Sequence, residues 1–255
     1  MAQHLSQRGS NHVRKHYRAV IAAIMVMIAV AAGVISGRHW VAQWKDTEIQ
    51  PALVPQQRQT TATYERSSVD YNGNGNDDYT DIIAGARKDA EAAPQYDAGY
   101  YQGGYPPDDR GACTDLVWRA FREAGYDLKA MIDADIAADP ASYASVAPAP
   151  DPNIDFRRVG VQQVFFAKYA QTLPTDINDI STWQAADIVV FGNAKHIGVI
   201  SDKRDTGGLP YVLHNMGQRQ RENDYLAFKT HMPVTGHYRF DASKVPANVL
   251  KAWQQ

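Results

Sequence analysis

The sequence predicts an α+β fold: a helix packed on an antiparallel sheet, preceded by a single transmembrane helix. Three observations predict it. Residues 19–37 form an uncharged apolar run, GACTDLVWRAFREAGYDL carries apolar residues at helical spacing, and four period-two runs lie between residues 186 and 240. The chain has 255 residues, the length of one catalytic-sized domain with attachments. A hydrophobic fraction of 44%, with 5 Trp, 14 Tyr and 7 Phe, is enough for a packed core and excludes a wholly disordered chain.

Arg8, Arg14, Lys15 and Arg18 precede AVIAAIMVMIAVAAGVISG. At about 1.5 Å per residue a helix of that length spans roughly 28 Å, close to the hydrocarbon thickness of a bilayer. The basic cluster then keeps residues 1–18 in the cytoplasm, makes residues 19–37 a membrane anchor and exports the body. The alternative is a signal peptide cleaved at Ala29-Val30-Ala31, which would release the body as a secreted protein. Residues 38–69 are polar and aperiodic, a linker between membrane and body. Without the four leading bases the chain carries a net charge of −6, a poor match for a phosphate backbone, so no nucleic-acid partner is expected.

Residues 70–94 open with DYNGNGNDDYTD, which has the spacing of a twelve-residue calcium loop. Asp70, Asn72 and Asn74 stand at positions one, three and five, and Gly75 at the turn. Asn76 offers its carbonyl at seven, Asp78 falls at nine and Asp81 closes the loop. The segment resembles the dockerin-type variant, which ends in Asp and leads into a helix, here IIAGARKDAEA. The expectation is a structural Ca²⁺; the alternative is an Asn/Gly turn. Asp77 at position eight departs from the usual apolar residue.

Cys113 is the one cysteine, so no intramolecular disulfide exists and no zinc site can draw on two thiolates. Leu116, Val117, Ala120, Phe121 and Ala124 repeat at helical spacing, and Gly125 is a natural stop, giving a helix over residues 113–124 that starts at the cysteine. Unpaired N–H groups at such a terminus stabilise a thiolate and can hold an oxyanion. ADIVVFG, HIGVISDK, YVLHNMG and VTGHYRF read as successive antiparallel strands. Symmetry about the DTGGLP turn makes His196 and His214 near cross-strand partners on one face. A thiol, an imidazole that takes its proton and a second ring that orients the first make a nucleophilic set, with Cys113, His196 and His214 in those roles. No cofactor is required for that chemistry.

These segments resemble the NlpC-type cell-wall cysteine peptidases, a papain-like family. YYQGG at 100–104 is similar to the family's approach to the nucleophile, CTDLVWRAFREAG to its cysteine helix, ADIVVFG to the strand with an Asp (here Asp187) and HIGVIS to the strand that opens with the base. The resemblance covers about residues 95–241 and leaves 242–255 as a tail. Within that superfamily the chain resembles an uncharacterised domain-of-unknown-function branch through the calcium-loop-like stretch, GGYPPDDRGACTD, DPNIDFRRVG and HNMGQR. It implies a papain-like fold, Cys113 as nucleophile, His196 as base, His214 as orienting residue, Tyr100 as a substrate-side hydroxyl and peptidoglycan stem peptides as substrate. Ala112, Thr114 and Asp115 replace the family's usual neighbours of the cysteine, and Asp115 opposes thiol ionisation unless it turns away or pairs with Arg119.

Asp115, Asn153, Asp155, Arg157 and Asn215 are further substrate-side candidates, with a guanidinium clamping a stem-peptide carboxylate. For DPNIDFRRVG the plain alternative is a solvated loop that caps the next helix. Three other readings stay open: acyl transfer to an amine by the same thiol, a non-catalytic calcium-stabilised wall-binding module, and zinc held by Cys113, His196 and His214.

Overall fold

The computed structural model describes residues 65–254. The expected cytoplasmic segment and anchor, and all but the end of the linker, lie outside the described residues. Among the described residues no helix is long and apolar enough to cross a membrane.

Helix α1 (Asp78–Ala92) begins where Asp77 accepts the Tyr79 N–H, so the residue that departs from the calcium pattern is the helix cap. Strands β1 (Gln95–Tyr96) and β2 (Arg110–Gly111) form a short parallel pair. Helix α2 (Cys113–Glu123) follows, as the spacing predicts. It ends in a Schellman closure: Tyr126 N–H donates to the Phe121 carbonyl, Gly125 N–H to that of Arg122, and Gly125 has φ +87°. Helices α3 (Leu128–Ala138), α4 (Pro140–Tyr143) and α5 (Val159–Tyr169) complete one layer. A 3₁₀ turn at Asp155–Arg157 precedes α5.

The other layer is a six-stranded antiparallel sheet in the order β3-β8-β4-β5-β6-β7. Its strands are β3 (Ala170–Thr172), β4 (Ile188–Phe191), β5 (His196–Arg204), β6 (Pro210–Leu213), β7 (Glu222–Asn223) and β8 (Val234–Phe240). Ile188, Val190, Ile197, Val199 and Leu213 meet the helices in one core, with Leu116, Val117, Phe121 and Phe166. Val189, Phe191, Ile200 and Val212 point the other way, onto Trp183, Tyr225 and Leu226 from the flanking loops. Both faces are covered, which explains why ADIVVFG is apolar throughout.

Two boundaries differ from the sequence reading. The 70–94 segment is not separate: the Cβ-less Gly85 lets α1 approach α2 so closely that an added Cβ would lie 2.9 Å from Ala120 Cα. Nor does residue 242 begin a tail. Val245 and Val249 are buried, Trp253 stacks on Trp118 with centroids 6.2 Å apart, and its N–H donates to the Gly125 carbonyl. These apolar residues leave water only by returning to the helix layer.

Candidate functional site

Cys113 is the first residue of α2 and is 6% exposed. Its sulfur is faced by backbone N–H groups of Ile197, Thr114 and its own residue, yet burial outweighs them and pushes the thiol up to about 11. The resting group is a thiol, not the thiolate that a helix terminus alone leads one to expect. Ile197 follows His196 on β5, so α2 delivers the sulfur to the strand that carries the imidazole.

The expected histidine pair forms, by a different register. Val199 faces Leu213, so Gly198 stands opposite His214, two residues from the symmetric estimate. Side chains alternate with period two, so an even slip keeps both rings on one face. His196 Nε2 lies 2.8 Å from His214 Nδ1. His214 Nε2 lies 3.2 Å from Asn223 Oδ1, and the Asn223 amide donates to the Gln220 carbonyl at 2.7 Å. Burial pushes His196 down to about 3, with the neighbouring His214 adding to it, and His214 down to about 4. Both rings are neutral near pH 7. Phe191 and Tyr225 wall them, with centroids 5.8 Å from His196 and 4.9 Å from His214. The ring-to-ring contact occupies one nitrogen of each imidazole, and Cys113, His196 and His214 do not come together as a group that could hold zinc.

Asn223, Gly198 and Tyr225 are the site residues that the sequence reading missed. Asn223 sits nine residues beyond His214 with no local motif to mark it. Gly198 carried a signal, a glycine inside a strand, which marks a close backbone approach. A Cβ there would lie 2.9 Å from the Leu213 carbonyl oxygen and 3.1 Å from His214 Cβ.

Several substrate-side candidates are committed to the protein itself. Asp115 is fully buried; it accepts the Ala112 N–H at 2.6 Å and the Trp118 indole N–H at 2.8 Å, and pairs with Arg157 at 2.8 and 2.9 Å. Arg157 also donates to the carbonyls of Gly99 and Asp97. The expected carboxylate clamp therefore exists, and Asp115 fills it. Arg119, the partner considered for Asp115, pairs with Asp89 at 2.6 Å. Asp155 is buried, accepting the Asp151 N–H and pairing with Arg158. Asn215 is buried too, its amide donating to the Gly111 carbonyl that precedes the cysteine loop. Asn153 accepts the Gly103 N–H at 2.7 Å, joining the 99–104 loop to the 150s turn. Tyr100 is 57% exposed with its hydroxyl on Asp151, the most open member of the set, and Asn153 is half-buried. Asp187 lies in a separate buried cluster, paired with Arg239 and His237.

In the calcium-like loop, Asn72 and Asn74 donate to Asp81 Oδ2 at 2.8 and 2.9 Å, and Asn76 to Oδ1 at 3.3 Å. Asp70 accepts the N–H groups of Asn74 and Gly75. Asp78 turns away: it accepts the Tyr126 hydroxyl at 2.5 Å and the Tyr71 N–H, and burial raises its carboxyl above the usual range. Asn72 also donates to the Glu123 carbonyl, so the loop clamps α1 to the end of α2. Among the described residues no group of three or more His, Cys, Asp or Glu could hold a metal ion.

Comparison with known proteins matches residues 83–240 to the family model described as "Domain of unknown function (DUF1287)". The chain belongs to the DUF1287 family. A relative, the uncharacterized protein YijF of Escherichia coli (strain K12), is 39% identical over 168 residues, covering 62% of this chain and 80% of YijF. No solved structure matches. The matched DUF1287 span contains Cys113, His196, His214 and Asn223 and starts beyond the Asp70–Asp81 loop.

Proposed function

We propose that the protein is a membrane-anchored thiol hydrolase acting outside the cytoplasm on peptide or amide bonds of peptidoglycan stem peptides, on an NlpC-type, papain-like scaffold. The observation that carries this reading is the hydrogen-bonded pair of neutral imidazoles, His196 and His214, of which His196 directly precedes on β5 the Ile197 whose N–H faces the Cys113 sulfur. In the proposed reaction Cys113 Sγ attacks the carbonyl carbon while its proton passes to His196. The N–H groups of Cys113 and Thr114, at the helix terminus, hold the oxyanion. His196 returns the proton to the leaving amine, and water then hydrolyses the thioester.

The test uses the full-length protein, defined stem peptides and mass identification of products. Cys113→Ala should abolish product formation and leave the melting curve nearly unchanged. Absence of product with every stem peptide, or equal product from the variant, overturns the proposal. A second reading draws on the burial of the thiol: a wall-binding module on the same scaffold. It requires that the protein bind purified sacculi, that Cys113→Ala bind equally, and that no acyl adduct form on the thiol.

A further inference from the structure

We infer that Asn223 is a positioning residue that sets the proton positions on both histidines and leaves His196 Nδ1 as the bare, proton-accepting nitrogen. The Gln220 carbonyl can only accept, so the Asn223 nitrogen 2.7 Å away must be the donor and Oδ1 must face His214. That oxygen can only accept, so His214 Nε2, 3.2 Å away, carries the proton. A neutral imidazole has one N–H, and burial keeps His214 neutral. His214 Nδ1 is therefore an acceptor, and the 2.8 Å contact is donated by His196 Nε2. His196 is neutral as well, so its Nδ1 is left with a lone pair.

The consequence for the thiol rests on the hydrolase reading; the proton positions do not. In that reading the S–H bond of Cys113 breaks and an Nδ1–H bond forms on His196, giving a thiolate and an imidazolium. The imidazolium keeps its Nε2–H on His214, so no other proton moves. The reverse set of tautomers would place an N–H where the lone pair is needed. His196, His214 and Asn223 then act as one line, and Asn223 works only through His214.

The test reads the proton positions directly, by two-bond ¹⁵N–¹H correlation spectra of the full-length protein labelled with ¹⁵N-histidine at neutral pH. The expected result is the Nε2–H tautomer for both His196 and His214. A native His214 protonated on Nδ1 overturns the inference, with no variant needed. In Asn223→Leu the Nε2–H acceptor is lost, and a net hydrogen bond of ordinary strength corresponds to a shift of roughly two- to tenfold in tautomer ratio toward Nδ1–H. In Asn223→Asp an acceptor remains, and the native tautomers should persist. Unchanged spectra in Asn223→Leu would reduce Asn223 to a packing role and overturn the inference. Expected tautomers in a protein that forms no acyl adduct would remove the hydrolase reading and leave this inference standing.

Discussion

Gly198→Ala tests the geometry of the histidine pair with a single methyl group. The Cβ it adds would lie 2.8 Å from Val212 Cγ1, 2.9 Å from the Leu213 carbonyl oxygen and 3.1 Å from His214 Cβ. Ordinary contacts begin at 3.4 Å, so the β6 backbone must retreat by about 0.5 Å. The Val212 side chain can rotate, but the Leu213 carbonyl belongs to the β5–β6 ladder and cannot turn aside. The displacement falls on His214, the next residue. Taken up along the His196–His214 contact it stretches 2.8 Å beyond 3.2 Å, out of the range of a good hydrogen bond. Overpacking of this kind costs about 1–3 kcal/mol. Urea unfolding measures that loss, and histidine ¹⁵N spectra report the loss of the ring-to-ring bond. A variant with native stability and native histidine spectra would refute the claim that Gly198 seats His214.

Other expectations follow from the same structure. The two histidines have folded pKa values depressed below the unfolded value near 6.5, so the unfolded chain binds more protons between that value and about 4. Stability is then fully present above pH 6.5 and falls with acidification, by about 1.4 kcal/mol per pH unit for each imidazole, and His214→Gln should flatten the slope measured by urea unfolding. Arg157→Met strands the buried Asp115 carboxylate and should cost about 3–5 kcal/mol, whereas replacing both partners with apolar residues should cost less; equal costs would contradict the buried pair. Millimolar Ca²⁺ should raise the melting temperature of the full-length protein if the ion displaces the amides of Asn72, Asn74 and Asn76 from Asp81, against the bonds that the Asn72 and Asn74 oxygens accept from the Asn74 and Asn76 N–H groups; an unchanged curve would leave the loop a hydrogen-bonded clamp. Iodoacetamide should label native Cys113 slowly near pH 7 and faster as pH rises, since burial holds the thiol protonated; rapid neutral labelling would contradict that burial.

The legible parts of this chain are those fixed by neighbours in sequence. Helical spacing places α2 and its start at Cys113, because one apolar stripe and one glycine stop act over a dozen residues. Period two places β4, β5, β6 and β8, and parity puts His196 and His214 on one face despite a register two residues off. What failed was set at long range. On sequence the partner for Asp115 is Arg119, four residues along the helix; the partner it takes is Arg157, carried under the cysteine loop by the 3₁₀ turn 42 residues away. Asn223 reaches His214 through the pairing of β6 with β7, which no local pattern announces. Thiol burial depends on how α2 docks on β5, whereas the helix terminus itself contributes only the opposing effect.

Burial of the proposed nucleophile fits the chemistry proposed for it. Low polarity around Cys113 and His196 disfavours a standing thiolate–imidazolium pair, so the proton rests on sulfur until attack. The same low polarity strengthens each N–H aimed at developing charge, and those N–H groups are already fixed by α2 and β5. Asp115 is close enough to work against the charge, but its carboxylate is neutralised by Arg157 and drawn onto the Ala112 N–H. Asp115 therefore closes the helix terminus by accepting the Ala112 N–H, and its pairing with Arg157 offsets part of the charge it brings near the sulfur.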